Sequence, residues 1–370
     1  MFAWLHDLDS FALRIAPGIG IRWYGLSYAV AFLLGWLILR WLGKRGATRI
    51  PPHLAGDAIM SIVLGVVLGG RLGYILFYDP ALLTSFSDSP PFWGALAIHK
   101  GGMASHGGIL GVIVAAFFIA RRLNRATLAE PDSTTTSPPS SPNAAPRVPV
   151  LHILDTLALL TPTGLFLGRI ANFINGELLG RIVAMPGRPA PWWAVKFPNE
   201  VLTEHDPGRL MEPQAAADRL DALDRIAGTT GPNFGLAYER VLDRLRHPLS
   251  AADRALADQL APLISARHAS QLYQAFAEGI VVGAILWLLA RRARRPGTIG
   301  AAFVLSYGIL RILTEHWRLP DGHLITKTIL GLTRGQWLSV PLILVGVVAL
   351  FLIHRRNDPP IGGWARKPTP

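Results

Sequence analysis

The stretch Gly168-Arg169-Ile170-Ala171-Asn172-Phe173-Ile174-Asn175-Gly176-Glu177-Leu178-Leu179-Gly180-Arg181 places two arginines, two asparagines and a glutamate directly after the apolar run Val150–Leu167. Ionisable groups are costly at such a position, so they point to function before they point to packing. The same cost singles out further residues. Arg71 interrupts an apolar run, and His106 stands within Gly101-Gly102-Met103-Ala104-Ser105-His106-Gly107-Gly108. Arg311, Glu315 and Arg318 fall at i, i+4 and i+7, on one helix face. Guanidinium in excess of carboxylate calls for an anion, and phosphate suits it because the planar fork donates to two oxygens at once. The nearest such anion is a phospholipid head group. His106 has the residue type of a general base, since imidazole titrates near neutrality. Blander readings stand beside these. Arginines snorkel to interfaces, and an Arg311–Glu315 pair can merely neutralise itself. Tyr24, in Ile21-Arg22-Trp23-Tyr24-Gly25-Leu26, reads as an interfacial belt aromatic.

The elements that must position these groups are membrane spans. The 370 residues are 51% hydrophobic and only 16% charged, and the apolar residues gather in runs near spanning length. The runs lie at about Trp23–Leu42, Ala58–Phe77, Ala104–Ala120, Val150–Leu167, Leu272–Ala290, Ile299–His316 and Trp337–Ile353. Hydrocarbon offers the backbone no partner, so the spans are expected to be helices and the protein all-α. Basic clusters follow spans one, three, five and seven, the last being His354-Arg355-Arg356. The positive-inside rule then puts the N-terminus outside and the C-terminus in the cytoplasm. The same placement explains the net charge of +12 without nucleic acid, because the basic residues adjoin spans rather than forming one face. Gly65, Gly69 and Gly73, and Gly107 with Gly111, repeat at four-residue spacing. Close helix packing is the favoured reading, with backbone room for a head group as the alternative.

Cysteine is absent, which removes disulfides, thiolate metal sites and a cysteine nucleophile from this chain. The eleven histidines are scattered, so no metal site is expected. No removable signal peptide is read at the N-terminus. The expected organisation is an interfacial segment with spans 1–3 (1–125), then a proline- and serine-rich disordered linker (126–149). Span 4 with the polar stretch (150–181) leads to an extracytoplasmic lobe (182–270). Spans 5–7 (271–356) and a tail (357–370) complete the chain. Within the lobe, Ala215–Ile226 and Ala237–Arg246 have amphipathic helical spacing.

Several blocks share one further property. They are Trp23-Tyr24-Gly25-Leu26, Gly70-Arg71-Leu72-Gly73-Tyr74, the glycine-flanked His106 block and Gly168–Arg181. Later come Ser270-Gln271-Leu272-Tyr273 with Glu278-Gly279, Tyr307-Gly308-Ile309-Leu310-Arg311 through Glu315, Arg318, Pro320 and Asp321, and Gly335-Gln336-Trp337-Leu338-Ser339. In type and order the chain resembles the prolipoprotein diacylglyceryl transferases of bacterial inner membranes. The resemblance implies a multi-pass inner-membrane enzyme with seven transmembrane helices and a periplasmic lobe between helices 4 and 5. Its implied reaction moves the sn-1,2-diacylglyceryl group of phosphatidylglycerol to the lipobox cysteine of a preprolipoprotein, giving a thioether and glycerol 1-phosphate. On this reading His106, Arg169 and Arg311 are the catalytic candidates. Tyr24, Arg71, Asn172, Asn175, Gly180 and Glu315 bind substrate, and no metal or other cofactor is needed. Ala269 and Gln274 stand where the family has proline and glutamate, and Ala171 where it has glycine. The rival class is a non-catalytic anionic-phospholipid transporter or receptor, in which the same arginines only hold a head group.

Overall fold

The computed structural model describes residues 3–16, 19–88, 90–98, 101–129, 147–319, 328–329 and 332–365. In chain order, strands β1 (Trp4–Leu5), β2 (Phe11–Ala16) and β3 (Ile19–Arg22) precede helix α1 (Trp23–Lys44). Helices α2 (Ala55–Phe77), α3 (Ser105–Ala129) and α4 (Val150–Asn175) come after it. Next are β4 (Ile182–Ala184), β5 (Val195–Lys196), α5 (Pro213–Ala227), α6 (Phe234–Arg246), α7 (Ala251–Leu260) and β6 (Ala266–Arg267). Helix α8 (Ser270–Gln274) runs through a π-helical segment, Ala275–Val281, into α9 (Val282–Leu289). Helix α10 (Thr298–Thr314), the short hairpin β7 (Thr328–Ile329) and β8 (Leu332–Thr333), and α11 (Arg334–Arg355) complete the order.

Among the described residues, seven helices are long and apolar enough to cross a membrane, from Trp23–Lys44 to Gly335–Arg355. Each overlaps one of the seven apolar runs; the largest difference is in the fourth, which continues past the expected Leu167 to Asn175 and takes in the first half of the polar stretch. The all-α expectation needs one correction, because short strands pair into a four-stranded sheet ordered β1-β5-β6-β4 and two hairpins. Two- and three-residue strands carry too little alternation to be legible as sequence. Most of the expected 126–149 linker lies outside the described residues; its first four residues continue α3.

The chain divides into two compact units. Unit 1 comprises Met1–Ala31, Pro162–Gly283 and Leu305–Leu344. Its lobe forms where the amphipathic spacing predicts helices. Tyr238, Val241, Leu242 and Leu245 on α6 fall at i, i+3, i+4 and i+7 and bury against Leu223, Leu256 and Leu260. Helix α7 opens with a capping box between Ser250 and Asp253, which satisfies two otherwise orphaned N–H groups. The β2–β3 hairpin is fastened to this lobe by Arg14, 2.7 Å from Asp243 and 2.8 Å from Asp9.

Unit 2 comprises Phe32–Thr161, Ala284–Val304 and Val345–Pro370. Its core gathers Leu39, Ile50, Ala58, Ala116, Ile119, Ile153 and Leu157. The glycine repeats of α2 and α3 meet as a seam. A Cβ on Gly111 would lie 1.8 Å from the Gly65 carbonyl oxygen, and one on Gly107 2.2 Å from that of Gly69. Close packing, the favoured reading, is therefore what these glycines provide. The buried Asp155 accepts from the backbone N–H groups of Gly297 and Gly300, both at 2.7 Å, and so caps the start of α10.

Candidate active site

Helix α4 ends where Gly176 takes a positive φ of 66°. The Glu177 N–H then reaches back to the Asn172 carbonyl and the Gly176 N–H to that of Phe173, each at 3.0 Å. This Schellman arrangement satisfies terminal carbonyls and swings Glu177 back over the last turn. There Tyr24 donates to Glu177 Oε2 at 3.0 Å, while Asn172 donates to the Tyr24 hydroxyl. Asn175 donates to the other carboxylate oxygen at 3.4 Å. Gln271 on α8 donates to the Glu177 backbone carbonyl. Tyr24 and Asn175, two of the sequence candidates, thus meet on one carboxylate, and a third, Asn172, joins them through the Tyr24 hydroxyl.

A second cluster of unit 1 lies along α4, the π-helical segment and α10. Arg169 donates through Nε to Glu278 Oε2 at 3.0 Å, and its Nη2 lies at the same distance from that oxygen. Arg311 approaches Glu278 Oε1 at 3.5 Å and Glu315 Oε2 at 3.3 Å. Arg318 stands 3.9 Å from Glu315 Oε2. Glu278 is fully buried, whereas the Arg169 and Arg311 side chains keep 16% and 12% exposure. One carboxylate therefore holds two guanidinium groups side by side. π-Helical turns are uncommon and concentrate at functional sites, because the extra residue re-aims a side chain. Here the turn carries Glu278, and it packs so closely that a Cβ on Gly279 would lie 2.6 Å from that of Phe166. Gly335 gives similar room to Glu315, whose Oε1 would be 2.6 Å from an added Cβ.

Gly180 acts through its backbone. A Cβ there would sit 2.1 Å from the His268 carbonyl oxygen. The fully buried Arg267 donates to the Gly180 carbonyl at 3.2 Å while its Nε contacts Glu200 Oε2 at 2.6 Å. Glu200 also accepts from the Ser265 N–H at 2.7 Å. This buried pair pins the end of the signature stretch to the sheet. At the other end of the sheet, His6 hydrogen-bonds the Phe173 carbonyl at 2.8 Å. Burial pushes the His6 imidazole down to about 4, so near neutral pH it is the uncharged donor that holds the α4 terminus.

Arg71 and His106 belong to unit 2. Arg71 is buried and directs its guanidinium at four backbone carbonyls: Gly94 (2.7 Å), Ala95 (2.8 Å), Gly101 (2.8 Å) and Gly102 (2.9 Å). Both Gly101 and Gly102 have positive φ, and a Cβ on Gly102 would lie 2.7 Å from the guanidinium. These contacts tie the Arg71 guanidinium to the loop leading into α3. His106 lies in the first turn of α3, is exposed, and its side chain makes no hydrogen bond or ion pair among the described residues.

Two groups escape a reading of the sequence alone. Glu278 is a lone carboxylate inside the fifth apolar run, and the cost argument that flags Arg71 applies equally to it. Glu200 and Arg267 are 67 residues apart, and no local spacing joins them.

Seven apolar helices and a buried arginine–carboxylate cluster define a multi-pass membrane protein with a site suited to an anionic group. The model of the family "Prolipoprotein diacylglyceryl transferase" matches residues 10–137 and 142–352. A phosphatidylglycerol–prolipoprotein diacylglyceryl transferase of Bdellovibrio bacteriovorus is 37% identical, over 98% of this chain and 97% of its own length. A protein of the same name from Ralstonia pickettii is 34% identical, over 95% of each. The chain belongs to the prolipoprotein diacylglyceryl transferase family.

Proposed function

We propose that this protein transfers the sn-1,2-diacylglyceryl group from phosphatidylglycerol to the lipobox cysteine of preprolipoproteins, in the bacterial inner membrane. The convergence of Arg169 and Arg311 on the buried Glu278 carries the reading to the chemistry, because it builds a paired guanidinium site for a phosphodiester. In the reaction the cysteine sulfur forms a bond to the sn-3 carbon of the diacylglyceryl group. The bond from that carbon to the phosphate oxygen breaks, and glycerol 1-phosphate leaves with the electron pair. The thiolate is the reactive form of the nucleophile, and His106 takes the thiol proton. Arg169 and Arg311 bind the phosphate and stabilise the charge that grows on it as it departs. Asn172, Asn175 and Tyr24 hydrogen-bond the head group and Glu315 orients Arg311. Glu278 holds the two arginines in register. Arg71 acts indirectly, by shaping the loop before His106.

The N-terminus and the lobe face the periplasm and the C-terminus the cytoplasm, in keeping with the basic clusters after alternate spans. The test is incubation of the folded protein with phosphatidylglycerol vesicles and a lipobox peptide. A diacylglyceryl mass gain on the peptide with equimolar release of glycerol 1-phosphate is expected. Lipid binding with neither product would instead identify a transporter or receptor.

A further inference from the structure

Unit 2 carries a groove that the proposed reaction does not use. It lies between the start of α2 and the end of α3, with a cavity volume of about 350 Å³. Leu54 and the 61%-exposed Phe118 give it an apolar wall, and Arg121, Arg122 and Arg125 line its polar side. Arg122 is paired with Asp57 at 2.8 Å. Arg121 and Arg125 are exposed, and their side chains make no hydrogen bond or ion pair among the described residues. Basic residues at this end of a span arise from topology alone, so the arginines by themselves prove nothing. What topology does not supply is their position on the edge of a cavity with an apolar wall. A soluble anion would leave Phe118 unused, and a neutral acyl chain would leave Arg121 and Arg125 unused. A molecule with one phosphodiester and attached acyl chains uses both, and basic pockets between membrane helices take such head groups.

We infer that this groove binds one anionic phospholipid, its phosphate at Arg121 and Arg125 and an acyl chain along Phe118. The site shares no residue with the arginine–carboxylate cluster of unit 1 and holds lipid without converting it. Native mass spectrometry of the full-length protein tests this, titrating phosphatidylglycerol and phosphatidylethanolamine with identical chains. Wild type is expected to retain two phosphatidylglycerol molecules, and to hold the second at least tenfold more tightly than phosphatidylethanolamine. The Arg121→Gln/Arg125→Gln variant should lose the second molecule while keeping wild-type transfer to a lipobox peptide. Ser61→Trp, which fills the groove and leaves every charge in place, should do the same. Equal retention of both lipids by wild type, or two phosphatidylglycerol molecules on both variants, overturns the inference. Absence of peptide transfer by wild type would count against the proposed reaction and leave the lipid count to decide this site.

Discussion

At the scale of single residues, one carboxylate joins the two arginines of the cluster. Glu278 is fully buried and gives one oxygen to Arg169 and the other to Arg311. Leaving two guanidinium groups in place without it removes their alignment as well as their neutralisation. Glu278→Gln keeps the side-chain shape, yet kcat/KM for phosphatidylglycerol is expected to fall about 100-fold, the cost of a small misplacement of reacting groups. Glu278→Asp should recover part of that loss, which a purely structural role would not produce; steady-state kinetics on folded variants measures both. Arg169 is legible in the sequence because a charged group in an apolar setting is conspicuous. Glu278 is equally conspicuous by that standard, but no second charged residue stands at helical spacing on its own span to suggest a site. Its partners lie on two other helices, and only the fold supplies them.

At the scale of elements, the spans are legible nearly to their ends because hydrocarbon forces length and composition together. The short strands that hold the α4 terminus are not, since β1, β5 and β6 are two residues each and their pairing is long-range. The glycine repeats of α2 and α3 read as packing in the sequence, and the distances say how little space the seam leaves. Gly111→Ala would place a methyl group 1.8 Å from the Gly65 oxygen. Overpacking of this kind costs about 1–3 kcal/mol, so a lower thermal midpoint in detergent is expected. Alanine is the better helix former by about 1 kcal/mol, so a lowered midpoint would report the clash and not the helix.

At the scale of the whole molecule, stability should depend on pH through His6. Its folded-state pKa is pushed down to about 4 from an ordinary 6.5, so between those values the unfolded chain binds a proton that the folded chain refuses. Folding stability therefore falls as pH drops from about 6.5 toward 4, by up to roughly 3 kcal/mol, and is unaffected by this group above that window. Thermal unfolding measured across pH 4–8 should show this slope, and His6→Gln should make it shallower. The π-helical segment that carries Glu278 has a consequence for how such a molecule changes over generations. A π turn is one residue longer than the α-helical turn it replaces, and each residue turns a helix by about 100°. Losing a single codon from Ala275–Val281 would restore a regular helix, shorten the span only slightly, and turn Glu278 away from Arg169 and Arg311. In most proteins small insertions and deletions are absorbed by loops and leave the chemistry alone. Here the reading-frame-preserving loss of one amino acid inside a membrane span would leave every arginine encoded and the site unassembled.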